Sequence, residues 1–259
     1  MTVTRSSKKN SDAEAKPSPT THAKSSQQPS AAGATDRKTP TRPATTSTVS
    51  SKFSLMQAAE NLADELLQRS RVLPGETLRK CAERIGVRIV EKRLPGASLG
   101  VAIASLRTIV LSSSGYGARD EFTIAHELME LHIPGSWHDL PPEMKESACD
   151  RGAAALLLPA AAFRSTVAEL GLDLPRLRRR WRHASWGTIG RRLVDVGAAS
   201  TIANWSDLEL AWRYGAEAHP DEEHALAEVY AGRGRAQVGA VRAWRLGGAG
   251  LGRAVSVGR

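Results

Sequence analysis

Two segments of this 259-residue chain carry side chains that could do chemistry together. In His126-Glu127-Leu128-Met129-Glu130, a histidine and a glutamate stand four positions apart, and a second glutamate follows the histidine. Four positions on a helix amount to ~40° of rotation, so His126 and Glu130 present donor atoms to one spot. Glu127 lies ~100° further round and can face a water bound there. The order is one residue from H-E-x-x-H, where two histidines hold a metal and the glutamate acts as general base. Such sites need a third protein ligand, usually from a following helix. Glu146 is the candidate, because an antiparallel helix pair joined through residues 133–142 would bring it opposite His126 and Glu130.

Helical periodicity supplies the elements that must position these groups. Residues 119–131 read as the motif helix, with Phe122, Ala125, Leu128 and Met129 facing the core, and Ile133-Pro134-Gly135 stops it. The Pro141-Pro142 pair precedes a second helix over about 143–158, closed by Pro159. Upstream, Ser54 can cap a helix running to Arg69, and a second amphipathic helix spans 76–85 with Gly86 as its C-terminal cap. Residues 87–90 alternate as a strand, and 100–104 and 108–111 read as a hairpin. Short helices are expected at about 160–170, 173–182 and 185–196. A second hairpin follows at 201–205 and 208–212, and the Gly-rich stretch 237–257 reads as short strands or loops.

Composition separates the first 52 residues from the rest. They hold twenty Ser or Thr and five Pro, and no Leu or Ile, so they are expected to form a disordered, solvated tail. No apolar run of signal-peptide length follows the Lys-rich start. The tail has nine Lys or Arg against three acids, which is +6 of the formal +9. The basic pI is therefore mostly a property of the tail, and does not by itself make the folded part a nucleic-acid binder. No apolar run approaches the ~20 residues of a membrane span, so a soluble, cytoplasmic protein is expected. Cys81 and Cys149 sit in helical apolar patterns and read as buried free thiols of a reducing compartment.

On its own, H-E-x-x-E is also what a solvated helix face looks like. Its surroundings are more specific. The run Phe122-Thr-Ile-Ala-His-Glu-Leu128 resembles the F-T-x-A-H-E-L that introduces the metal site of the ImmA/IrrE family of metallopeptidases. Glu146, Cys149, Asp150, Ala153, Leu156, Leu157 and Pro159 fall at the offsets of that family's E-x-x-A/C-N/D … L-L-x-P pattern. Residues 184–193 resemble the helix near the end of its peptidase domain, and the likeness spans roughly 55–215.

The resemblance implies an α+β, mainly helical zincin-like domain with a small β-sheet over 53–215, and leaves 216–259 as an Arg/Gly-rich extension. It implies a metal-dependent endopeptidase that cuts helix-turn-helix transcriptional repressors in stress response. His126 would be a ligand, Glu127 the base, Glu146 a further ligand, and Asp150 a carboxylate orienting a ligand. The cofactor would be one divalent ion, zinc, with manganese as the alternative.

Three assignments of Glu130 are open. It can be a ligand itself, giving a harder His-plus-two-carboxylate set. His132 or His138 can supply the nitrogen instead, although a regular helix turns His132 about 240° away from His126. Or the site is metal-free and the chain is a protein- or DNA-binding relative of the enzymes. Seven arginines and no acid lie between Asp173 and Asp195, and Arg178, Arg179, Arg180 and Arg182 are candidate nucleic-acid or partner contacts. A solvated basic face packed on the domain is the competing reading.

Overall fold

The computed structural model describes residues 46–73, 75–96, 98–112, 117–246 and 253–258. Most of the expected tail lies outside these residues. The described residues form one compact unit. Helix α1 spans Thr46–Ser70 and so begins ahead of the Ser54 cap expected from sequence. Helix α2 covers Leu78–Arg84, and Gly86 follows at φ +75°, the left-handed conformation that lets the chain turn out of the helix.

Strand β1 (Arg88–Lys92), β2 (Gly100–Ile103) and β3 (Thr108–Ser112) make a sheet in the order β1-β3-β2. β2 and β3 are the expected hairpin, with Ala102 opposite Ile109. β1 runs parallel to β3 on its other side, with Ile89 opposite Ile109. β2 is thus left at the sheet edge.

The two central helices follow: α3 (Gly117–His132) and α4 (Pro142–Leu157). They pack on each other, and α4 packs on α1. Small residues make this possible. Ala59 and Ala63 of α1 and Ala148 and Ala153 of α4 are fully buried. A Cβ at Gly152 of α4 would collide with the Met129 side chain of α3. Ile124, Leu128 and Met129 fill the same core, and burying each such side chain contributes roughly 1.5–3 kcal/mol.

Helices α5 (Ala160–Leu170), α6 (Leu174–Arg180) and α7 (Trp186–Asp195) come next. Asp173 caps α6 by accepting from the Arg176 N–H, and Ser185 caps α7 by accepting from the Thr188 N–H. Strands β4 (Thr201–Ser206) and β5 (Glu209–Gly215) form the second expected hairpin.

The C-terminal stretch is more ordered than its composition suggests. β6 (Arg235–Val238), β7 (Val241–Leu246) and β8 (Arg253–Gly258) join β4 and β5 in an antiparallel sheet of order β5-β4-β8-β7-β6. Because β8 lies beside β4, this sheet runs across the boundary expected at 215. Helix α8 (Glu222–Glu228) covers it, and Ala225 and Leu226, with Val229 just beyond the helix, are buried with Val241, Ala243 and Ala254. The signal for α8 was present in the sequence, as two acids in the first turn and apolar residues at helical spacing.

Among the described residues no single helix is long and apolar enough to cross a membrane. α4 and α5 pass that test only as a pair bent by 61°, and α4 is a core helix here. Both cysteines are buried and free.

Candidate functional site

α3 and α4 bring His126, Glu146 and Asp150 together. The Nδ1 of His126 lies 2.9 Å from Asp150 Oδ1, and its Nε2 lies 3.3 Å from Glu146 Oε2. Glu146 and Asp150 are one turn apart on α4, so the two carboxylates bracket the imidazole from one helix face. The ring is mostly covered, with 18% of the side chain exposed, whereas Glu146 is 71% exposed. Burial disfavours the charged imidazole, but the Asp150 hydrogen bond and charge, helped by Glu127 and Glu146, hold its pKa above the ordinary value.

Glu127 sits deeper. It is buried beneath β2, where the Ala102 backbone N–H donates to its carboxylate. The approach is close: a Cβ on Gly100 would lie 2.9 Å from Glu127 Oε1 and 2.5 Å from Thr123 Cγ2. Burial, and then the charge of Glu130, push the Glu127 carboxyl up to about 7, against the opposing pull of His126. Oε2 of Glu127 is buried with no donor facing it. Glu130, three positions on along α3, is the neighbour whose charge bears on this carboxyl. Neither Arg119 nor Lys145 reaches Glu127; the Lys145 ammonium donates to the His138 carbonyl.

Cys149 senses the same charges. Burial and the carboxylates of Glu130, Glu146, Asp150 and Glu127 push its thiol up to about 12, so it stays protonated and packs in the core. Four carboxylates are thus felt at this thiol, and two of them contact the His126 imidazole; these donor types suit a divalent cation. The His126–Glu146 spacing suits one too, since two ligands at ~2.1 Å from a tetrahedral ion are ~3.4 Å apart. Among the described residues, however, no group of three His, Cys, Asp or Glu side chains is arranged to hold a metal.

His132 is no substitute. Its Nδ1 lies 2.8 Å from the Leu128 carbonyl of its own helix, and burial lowers its pKa. His138 is exposed in the loop between α3 and α4, where its carbonyl serves Lys145.

The family model described as Peptidase_M78, the IrrE N-terminal-like domain, matches residues 82–193, a span that holds α3, α4 and every side chain named above. Residues 82–193 are an IrrE N-terminal-like domain. Over those residues the chain is similar to the metallopeptidase-like ImmA/IrrE proteins. A solved structure described as a Mycobacterium tuberculosis transcriptional regulator is similar over 80% of this chain and 75% of that one, with TM-score 0.59 and 19% identity. At that identity the likeness is one of fold, and it takes in more of the chain than the family match does. A search of curated proteins found no match.

The arginine-rich end of the IrrE N-terminal-like domain does not form one uniform basic face. Leu174, Leu177, Trp181, Ile189 and Leu193 are buried, and so is Arg192. Arg192 makes a two-pronged ion pair with Glu60 of α1, with Nη1 to Oε1 at 2.9 Å and Nη2 to Oε2 at 3.1 Å. It is part of the core, not of a contact surface. Arg179, Arg180 and Arg182 remain on the outside, while Arg178 is partly covered and donates to the Arg182 carbonyl.

Proposed function

We propose that the chain is a metal-dependent endopeptidase whose substrate is a helix-turn-helix transcriptional repressor. The observation that carries this reading is the two-sided hold on His126: Asp150 takes Nδ1, and Nε2 is left facing Glu146. That is the arrangement in which a ligand histidine is oriented by a carboxylate. His126 and Glu146 would hold a divalent ion, zinc or manganese, with Glu130 as a further ligand. The ion would supply polarisation of the scissile carbonyl and acidification of a water.

The protein's own groups do the rest. Glu127, pushed up to about 7, is poised to take a proton from a water near neutral pH and to return it to the leaving amide nitrogen. The Ala102 N–H fixes one side of that carboxylate, and burial keeps bulk water from competing for it. β2 is an edge strand against α3, so an extended substrate segment can pair with its free side and pass over Glu127. Cytoplasmic location accords with this role, and so does a part in stress-linked transcription control.

Metal analysis of the purified full chain tests the proposal. Stoichiometric zinc or manganese in the wild type, lost in Glu130→Ala and in Glu146→Ala, is expected. Cleavage of a helix-turn-helix repressor at one site should accompany the metal. If no metal binds under supplementation with either ion, the hydrolase reading is wrong.

That no three ligand side chains converge among the described residues favours a second reading, a non-catalytic relative acting as a protein- or DNA-binding regulator. The fold neighbour described as a transcriptional regulator fits it. Salt-dependent DNA binding that disappears when Arg178, Arg179 and Arg180 are neutralised is its expected signature.

A further inference from the structure

Two neighbouring cavities, of ≈420 and ≈620 Å³, share Phe122, Thr188, Arg191 and Trp212 in their walls, forming one cleft between the α3–α4 pair and the α7–β5 face. Phe122 stands one helical turn before His126, and Asp150, which bonds His126, lines the inner cavity. The cleft therefore reaches the candidate site at Asp150. We propose that it is a recognition groove for an extended peptide segment, in which Arg191 receives an acidic side chain and Trp212 and Phe122 hold flanking apolar groups. This deepens the peptidase reading and rests on it.

The construction of the Arg191 position argues for a built site. The Trp212 indole lies across one turn of α7. A Cβ on Gly187 would meet its ring at 3.3 Å, and the Arg191 guanidinium sits over it, 4.8 Å from the ring centroid. Gly187 and Arg191 are four positions apart on that helix, so the absence of a side chain at 187 lets the indole lie flat and carry the cation.

The other guanidinium groups of the inner cavity are committed. Arg151 is paired with Glu60 and Asp195, and Arg213 with Glu222 at 2.7 Å. Among the described residues Arg191 makes no ion pair, so a preset positive charge is left on an aromatic platform inside a cleft. Arg-on-aromatic positions of this kind are where binding energy concentrates at protein interfaces.

Charge complementarity selects the occupant. A nucleic-acid strand requires cations repeated along its phosphates. Here the carboxylate of Asp150 lines the inner end, which repels a continuous anionic backbone. A peptide with one acidic side chain and a neutral backbone meets both ends.

The test uses the full chain carrying Glu127→Gln, so that binding is read without hydrolysis. The probes are fluorescein-labelled dodecapeptide pools of mixed sequence whose central residue is fixed as Glu, Gln or Lys. The Glu pool is expected to bind on the order of tenfold tighter than the Gln pool, with the Lys pool weakest. Adding Arg191→Glu should reverse that order, and Arg191→Lys should keep it. Equal binding of the three pools, an order unchanged by Arg191→Glu, or displacement by an oligothymidylate as readily as by unlabelled peptide would overturn the groove. If the Arg191-dependent order holds while the wild type neither binds metal nor hydrolyses peptide, the groove stands and the peptidase reading falls. Metal-dependent hydrolysis by the wild type, with no preference among the pools, keeps the peptidase reading and overturns the groove.

Discussion

His126 Nδ1 lies 2.9 Å from Asp150 Oδ1, and this contact decides which nitrogen of the ring is left for a ligand. The bonded Nδ1 carries the proton in the neutral imidazole, so Nε2 keeps its lone pair toward Glu146. Asp150→Ala should leave the ring free to rotate and to change tautomer. The expected loss in metal affinity is roughly 10- to 100-fold, measured by competition with a chromophoric chelator. Asp150→Asn keeps an acceptor oxygen and should fall between the two. An unchanged affinity in Asp150→Ala would show that the contact does not orient a ligand.

Glu127 and Glu130 divide the remaining work differently from what their spacing suggests. Glu127→Gln preserves the shape beneath β2 but removes the base. Hydrolysis should drop by ~100- to 10,000-fold with metal content unchanged. Glu130→Gln removes a charge that helps to raise the Glu127 carboxyl, so that carboxyl should titrate lower than about 7. Carboxyl NMR titration of the metal-free protein should then show the Glu127 signal moving at lower pH. A signal that titrates as in the wild type would mean Glu130 does not act on the base.

Gly100 offers a test of the strand above the site. Its absent side chain leaves room for Thr123 and for the Glu127 carboxylate. Gly100→Ala must displace either β2 or Glu127. Because β2 sits at the sheet edge, the strand can give way at modest stability cost. The expected result is at least a tenfold loss in kcat/KM, on the order of 1.4 kcal/mol of transition-state stabilisation, with metal content kept. Full activity in the folded variant would separate β2 from the reaction.

What the sequence made legible follows from range. α3 and α4 announce themselves by local periodicity and by proline stops, and the site's pairing follows from the spacing between Glu130 and Glu146 across one loop. Glu127 and Glu130, three positions apart, are within helical reach of each other from spacing alone. What was not legible is that β2 buries Glu127, so that the neighbouring charge weighs on it. β8 beside β4 was hidden too, because strand neighbours distant in sequence leave no local trace. Arg192 is the plainest case: within an arginine run it reads as a solvated cation, and its partner Glu60 lies 132 positions away on α1.

That pair fixes how α7 is tied to α1, and it should set part of the acid stability. Arg192 is fully buried, holds both Glu60 oxygens and donates from Nε to the Leu158 carbonyl at 2.9 Å. Arg151 reaches Glu60 as well, at 2.6 Å. Burial would raise the Glu60 carboxyl, but the Arg192 and Arg151 bonds and charges outweigh it and hold the pKa below its ordinary 4.5. A carboxylate lowered in the folded state adds stability above its unfolded pKa and loses it as pH falls through the folded value. Asp195 acts in the opposite sense, because burial keeps its pKa raised despite Arg151.

Glu60→Gln should therefore cost about 3 kcal/mol at neutral pH, the figure for breaking a buried pair. The deficit relative to wild type should shrink as pH drops below 4.5. Urea melts of both proteins across that range give the measurement, and a deficit independent of pH would remove the ionised Glu60 from the account.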